Sequence, residues 1–414
     1  MRHPDPALLV VMGGVSAALH VGKLAPALPV LSETLGVTLV QAGFLLSLVQ
    51  LAGMTLGLLV GLAADGLGLK RTMIAGLLLL SAASLAGGWA RDPWSLMLLR
   101  AAEGLGFLLA SMPAPSLIRR LVDSARMNRT LGLWGAYMPV GTAMALLCGP
   151  LVIALIGWPG WWWLLAALSA GMAMWLALAL PADPGTAPSA KGAAAQGWPQ
   201  RLRQTLSVPG PWLVAFSFAV YSAQWLAVIG FLPTMYSQAG VGAGPASAAT
   251  ALAAAVNLIG NIASGRLLHG GARPERLLYL GFVAMGLGGV LAFAPLWQGA
   301  DPVIAAGLRY AAVLIFSMVG GLIPGTLFSL AVRLAPNEHT VSTTVGWMQQ
   351  CSSLGQFAGP PLVAWVAVRS GGWQWSWVVT AGCAAAGLGL ASVIGAVLSH
   401  KPSGRPIDGD RRPK

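Results

Sequence analysis

Apolar residues fall in blocks of helix length along nearly the whole chain, separated by short stretches that hold most of the charge and many of the glycines and prolines. A helix of about 20 apolar residues crosses the hydrocarbon layer of a bilayer. Twelve blocks meet that length, at about residues 8–30, 40–64, 72–90, 94–116, 131–156, 161–181, 211–235, 246–268, 277–297, 303–325, 340–367 and 374–398. The pattern predicts an all-α membrane protein with twelve transmembrane helices.

Composition agrees. The 414 residues are 56% hydrophobic and 9% charged, with a mean hydropathy of +0.73. That excludes an ordinary soluble globular protein. The net charge of +12 would suit a nucleic-acid partner, but the cations sort by loop. With both termini on the cytoplasmic side, 19 of the 24 Lys and Arg lie inside, and only Arg91 and Arg369 lie in loops on the other face. The positive-inside rule accounts for the excess, so no nucleic-acid partner is expected. A multi-pass protein of the bacterial inner membrane with cytoplasmic termini is expected instead.

Cys148, Cys351 and Cys383 all fall within spans and read as small packing residues, with no disulfide or metal spacing. The first apolar block carries His20 and Lys23 and lacks a small-residue cleavage pattern, so it reads as a retained helix. No phosphate loop, nucleophile elbow or zinc-binding helix motif occurs. Neither an enzyme nor a cofactor is expected, and energy for transport would come from a gradient.

Matching features recur at a nearly fixed offset. Leu28-Pro29 matches Leu232-Pro233 at 204, which sets His20 opposite Gln224. Arg100 and Pro115 are 15 apart, as are Arg309 and Pro324. Gly149-Pro150 matches Gly359-Pro360 at 210, and Asp65-Gly66 matches Gly265-Arg266 at 200. The expected division is a six-helix bundle over 1–181, a cytoplasmic linker over 182–210, a second bundle over 211–400, and a basic tail over 401–414 that touches anionic lipid.

The junction Gly61-Leu-Ala-Ala-Asp65-Gly-Leu-Gly68-Leu-Lys70-Arg71 places an acid, glycines and a basic pair between the second and third blocks. Asp65 there would accept from free backbone N–H groups or pair with a cation. The stretch resembles the loop signature of the major facilitator superfamily, matching at Gly61, Asp65, Gly68, Lys70 and Arg71 and departing at Gly66 and Leu69, where that family has cations. The resemblance, with the repeat, implies two pseudo-symmetric six-helix bundles that rock about a midplane site, acting as a monomer. The five residues would form a gating loop.

Lys23, Arg100, Glu103 and Arg309 are the ionisable groups well inside spans, with His20 beside them. Such groups usually face a cavity or one another. His20 and Lys23 share a helix face about 4.5 Å apart along the axis; they line a cavity, or His20 packs against a carbonyl and Lys23 snorkels outward. Arg100-Ala-Ala-Glu103-Gly-Leu-Gly106 resembles the superfamily's fourth-helix signature, whose Arg serves proton coupling or substrate binding. Glu103, the one carboxylate deep in a span, is the leading proton carrier, with His20 as a second; a static Arg100–Glu103 pair is the competing reading. Three cations against one carboxylate make a net positive site that attracts an anion or weak acid. Tyr137, Gln224 and Gln349 are further candidate contacts. Trp161-Trp162-Trp163 and Trp373, Trp375 and Trp377 read as interfacial anchors.

The function expected is a secondary transporter taking up a small anion with protons; the first helix, with His20, Lys23 and Leu28-Pro29, and the seventh-helix run Gly230-Phe-Leu-Pro-Thr234 are similar to the cyanate and nitroimidazole permease branch, which implies uptake of a small anion or small polar compound. A proton-driven drug or metabolite exporter is the alternative. The exporter signature of the fifth helix is met only at Gly149-Pro150, with Ala145, Ile153 and Ala154 in place of its other glycines. A transporter-like sensor is the third reading.

Overall fold

The computed structural model describes residues 5–123, 126, 130, 133–183 and 198–400, and all regular structure among them is helical. Ten stretches are long and apolar enough to cross a membrane. One of them, Leu133–Ala179, holds 47 residues, about 70 Å of helix at 1.5 Å per residue and twice what a bilayer needs. Its backbone leaves the helical region at Gly157 (φ 73°, ψ 169°), a left-handed conformation that glycine adopts without strain. Pro159, which has no N–H to donate, follows. The stretch is therefore spans five and six. Val341–Ser370 supplies the eleventh span, 30 residues long but too rich in amides and hydroxyls to count as apolar. Among the described residues the total is twelve spans, in two six-helix bundles.

Two spans are broken near their middles. Span one runs as a helix over Pro6–Gly22, a 3-10 turn over Ala25–Ala27 and a second helix over Leu28–Leu35. Pro26 and Pro29 explain the break, since neither can donate to the helix ladder. Span two runs over Leu39–Ser47, a 3-10 turn over Leu48–Gln50, and Leu51–Leu67.

The repeat is visible in close packing. A Cβ on Gly149 would come within 2.7 Å of Pro26, and one on Gly359 would strike the backbone of Ala223. Spans five and eleven thus lie against spans one and seven through equivalent glycines. The bundles meet along spans two and eleven, and again where span eight packs against the Tyr137–Ala179 stretch. Gly43 lies against Pro360 and Pro361, Gln50 donates to Gln356 at 3.0 Å, and the Gln350 amide donates to the Met54 carbonyl at 2.8 Å while accepting from the Leu58 N–H at 3.2 Å.

The junction between spans two and three is shorter than expected. Helix continues through Asp65 and Gly66 to Leu67, and only Gly68 (φ 91°) separates it from span three, Leu69–Gly87. The side chain of Asp65 and the surroundings of Gly61 lie outside the described residues. The acid seen at this turn is Asp183: its carboxylate accepts from the N–H of Lys70 and of Arg71, each at 3.0 Å. The Lys70 ammonium in turn donates to the Ala177 and Leu180 carbonyls at 2.8 and 2.6 Å. One staple satisfies free donors at the start of span three and free acceptors at the end of span six. Of the linker expected over 182–210, Trp198–Leu206 is helical and span seven already begins at Pro209. Lys191, Arg129 and the tail 401–414 lie outside the described residues.

A Cβ at residue 68 would sit 2.5 Å from the Asp183 carboxylate, at a φ that side chains rarely adopt. Gly68→Ala should lower stability by about 1–3 kcal/mol, read as thermal unfolding in detergent. Gly171→Ala, where the space is open, should not. Equal stability of the two variants would contradict this geometry.

Candidate functional site

His20, Lys23, Arg100 and Glu103 meet inside the first bundle, at 0, 0, 2 and 1% exposure, which shields their charges from bulk water. The snorkelling alternative for Lys23 is thereby excluded. Its ammonium pairs with Glu103 Oε1, donates to Ser84 Oγ at 2.9 Å, and lies 4.5 Å from the centre of the Trp162 ring. Arg100 takes the other carboxylate oxygen, Oε2, at 2.8 Å.

The two helix breaks feed this group. Where span one unwinds past Gly22, its carbonyls lose their helical donors. Arg100 supplies replacements, to His20 O at 2.5 Å and Val21 O at 3.2 Å, and reaches Leu45 O beside the break in span two at 3.1 Å. With the bond to Glu103, four of its five N–H donors are engaged. The Trp161 indole donates to Lys23 O at 3.1 Å, and Ser84 donates to Trp162 O at 2.8 Å. Trp161 and Trp162 are therefore not interfacial anchors. They are buried at 2 and 1% exposure, because span six begins inside the bundle just past the Gly157 break; only Trp163 is exposed.

His20 Nε2 lies 2.8 Å from Ser169 Oγ on span six, and Ser169 lies 3.2 Å from Ser16. His20 Nδ1 is buried without a hydrogen-bond partner and faces Glu103 Oε1 at 4.0 Å.

The other expected contacts stand apart. Arg309 does not join the group. It sits on the packed side of span ten, four residues beyond buried Ala305 and four before buried Val313, yet is exposed and makes no ion pair or hydrogen bond among the described residues. Tyr137 is half-buried and stacks on Trp134 at 4.2 Å between ring centres. Gln224 is fully buried with neither amide atom bonded, and Gln349 is half-buried. Near Gln224 in sequence, the second bundle holds an uncharged network. Asn257 Nδ2 donates to Tyr221 OH at 3.0 Å and Ser317 O at 2.8 Å, Asn261 Nδ2 to Asn257 Oδ1 at 3.0 Å, and the Trp225 indole to Ser317 Oγ at 3.1 Å. No cluster of metal-ligating side chains occurs among the described residues.

Sequence reasoning missed Ser84, Ser169 and Asp183. A lone serine in an apolar block carries no signal, and Asp183 lies more than a hundred residues from the turn it caps.

Residues 8–355 match the sequence profile of the Major Facilitator Superfamily. A puromycin resistance protein of Streptomyces alboniger is 34% identical over 153 residues, which span 36% of this chain and 29% of that protein. Two structures of a bacterial homologue of the human lysosomal transporter Spinster share the fold. The inward-facing, unoccupied form gives a TM-score of 0.77 at 15% identity over 96% of this chain and 98% of that one. The occupied form gives 0.77 at 16% identity over 94 and 96%.

Removing the carboxylate alone leaves two buried cations without a counter-charge. Glu103→Gln should cost about 3–5 kcal/mol of stability, measured by unfolding in detergent, and Lys23→Met in the same chain should recover a large part of it. A Glu103→Gln protein as stable as wild type would contradict the buried triad.

Proposed function

The chain belongs to the Major Facilitator Superfamily, and from that premise we propose that this membrane transporter couples solute movement to protons through Glu103. The observation that carries the reading is one carboxylate buried with two cations. Lys23 and Arg100 against Glu103 carry a formal +1, and a proton on Glu103 makes that +2 with no counter-charge in reach. Surplus charge in a dry interior is costly. A protonated Glu103 therefore favours a different packing of spans one and four, and by linkage the packing sets how readily the proton is held. A proton gradient then biases which packing is populated, as coupling requires.

For the solute, export of an organic compound in exchange for protons is the first reading. Arg100 and Lys23 are committed to Glu103, to backbone carbonyls and to Ser84, so they are not free to draw in an anion. The amides and aromatics of the second bundle suit an uncharged or weakly polar solute. Expulsion of a toxic compound is one way for a membrane transporter to confer resistance, and the Streptomyces relative is named for resistance to puromycin. Anion uptake with protons is the second reading. The exposed guanidinium of Arg309 favours it.

Proteoliposomes separate the two. An inside-acid gradient should drive puromycin into vesicles holding wild-type protein. Glu103→Gln should abolish the gradient-dependent part while leaving puromycin exchange at equal pH, and Arg309→Gln should change neither. Cyanate uptake under an outside-acid gradient, lost in Arg309→Gln, would favour the second reading. Gradient stimulation that survives Glu103→Gln would overturn proton coupling through this residue.

A further inference from the structure

We propose that Ser169 and Ser16, reached through His20, conduct the proton of Glu103 toward the end of the bundle that carries Lys70 and Arg71. The inference rests on Glu103 being the residue that exchanges a proton, and it adds the route.

Three spacings define the path: Glu103 Oε1 to His20 Nδ1 at 4.0 Å, His20 Nε2 to Ser169 Oγ at 2.8 Å, and Ser169 Oγ to Ser16 Oγ at 3.2 Å. Both imidazole nitrogens thus face members of one chain. The Nδ1 atom is buried and unbonded, an omission that costs about 1–3 kcal/mol in a protein interior. Exposure rises only at the far end, from 1% at Glu103 and 0% at His20 and Ser169 to 6% at Ser16. Ser16 precedes His20 by four residues, about 6 Å along the axis of span one, on the side of the basic loops.

The charged groups facing His20 are Lys23 on its own span and Arg100 and Glu103 on span four; span six presents Ser169. Glu103 Oε1, the oxygen that faces Nδ1, is also the one held by Lys23. Transfer waits on Lys23 releasing that oxygen, which lets the 4.0 Å gap close. The O–H bond of protonated Glu103 then breaks as an N–H forms at Nδ1. The Nε2 proton passes to Ser169 Oγ, the original hydroxyl proton of Ser169 passes to Ser16 Oγ, and that of Ser16 leaves to water. One proton departs, a carboxylate remains, and the imidazole is left in its other tautomer; uptake along the same path in reverse, Nε2 gaining a proton from Ser169 as Nδ1 gives its own to Glu103, restores the first.

Proton uptake after a downward pH jump, followed by an indicator dye with the purified full chain in detergent, tests the route without a solute. Glu103→Gln should remove one proton per chain from the uptake. Ser169→Ala and Ser16→Ala should leave its extent unchanged and slow it by about tenfold or more, and Ser169→Thr, which keeps the hydroxyl, should restore the rate. Ser222→Ala, at a buried serine pair in the other bundle, controls for packing. If Glu103→Gln removes the proton but the serine variants take it up at the wild-type rate, the route is wrong and the role of Glu103 stands. If Glu103→Gln leaves the uptake intact, both fail.

Discussion

Glu103 is buried with two cations against it, and holding that arrangement dictates much of the first bundle. A carboxylate and two cations in a dry interior lose their hydration and must recover it from protein dipoles. The sources are unusual places in the helices. Span one unwinds after Gly22 and span two tightens after Ser47, and the carbonyls beside these breaks are those that Arg100 bonds. The breaks and the charges belong to one construction, in which carbonyls beside the breaks offer acceptors and a guanidinium fills them.

The same construction explains why the site is one-sided. Every charged partner comes from spans one and four, with support from spans three and six. The second bundle answers with an uncharged network of asparagine, tyrosine, serine and tryptophan. A transporter divided in this way can respond to protons in one half and present hydrogen-bonding groups to a solute in the other. One side of their meeting line carries amide-to-backbone bonds between spans two and eleven, which are exchangeable in a way that a dry apolar seam is not.

The fold was largely legible in the sequence, since bilayer thickness sets the length of every apolar block and glycine and proline mark the gaps. The break between spans five and six shows this: an interruption between residues 156 and 161 is expected from composition, and Gly157 provides it. The site was legible only in part. Four of its members announce themselves because charge is rare in a span, but their pairing depends on how helices rotate, which periodicity does not give. Rotation and depth put Trp161 and Trp162 inside where an anchor was expected, and leave Arg309 exposed although its repeat counterpart Arg100 is buried. The acid at the turn after Gly68 is Asp183, a contact that only tertiary structure creates.

Infrared difference spectroscopy of the carboxylic-acid C=O stretch, on the full chain in lipid as pH is lowered, tests proton binding at Glu103 directly, because Glu103 is the one buried carboxylate among the described side chains. The account predicts one protonated-carboxyl band in wild type, absent in Glu103→Gln and shifted in Lys23→Met, where the partner of Oε1 is gone. A protein whose transport responds to a proton gradient while no such band appears, or while the band persists in Glu103→Gln, would contradict it.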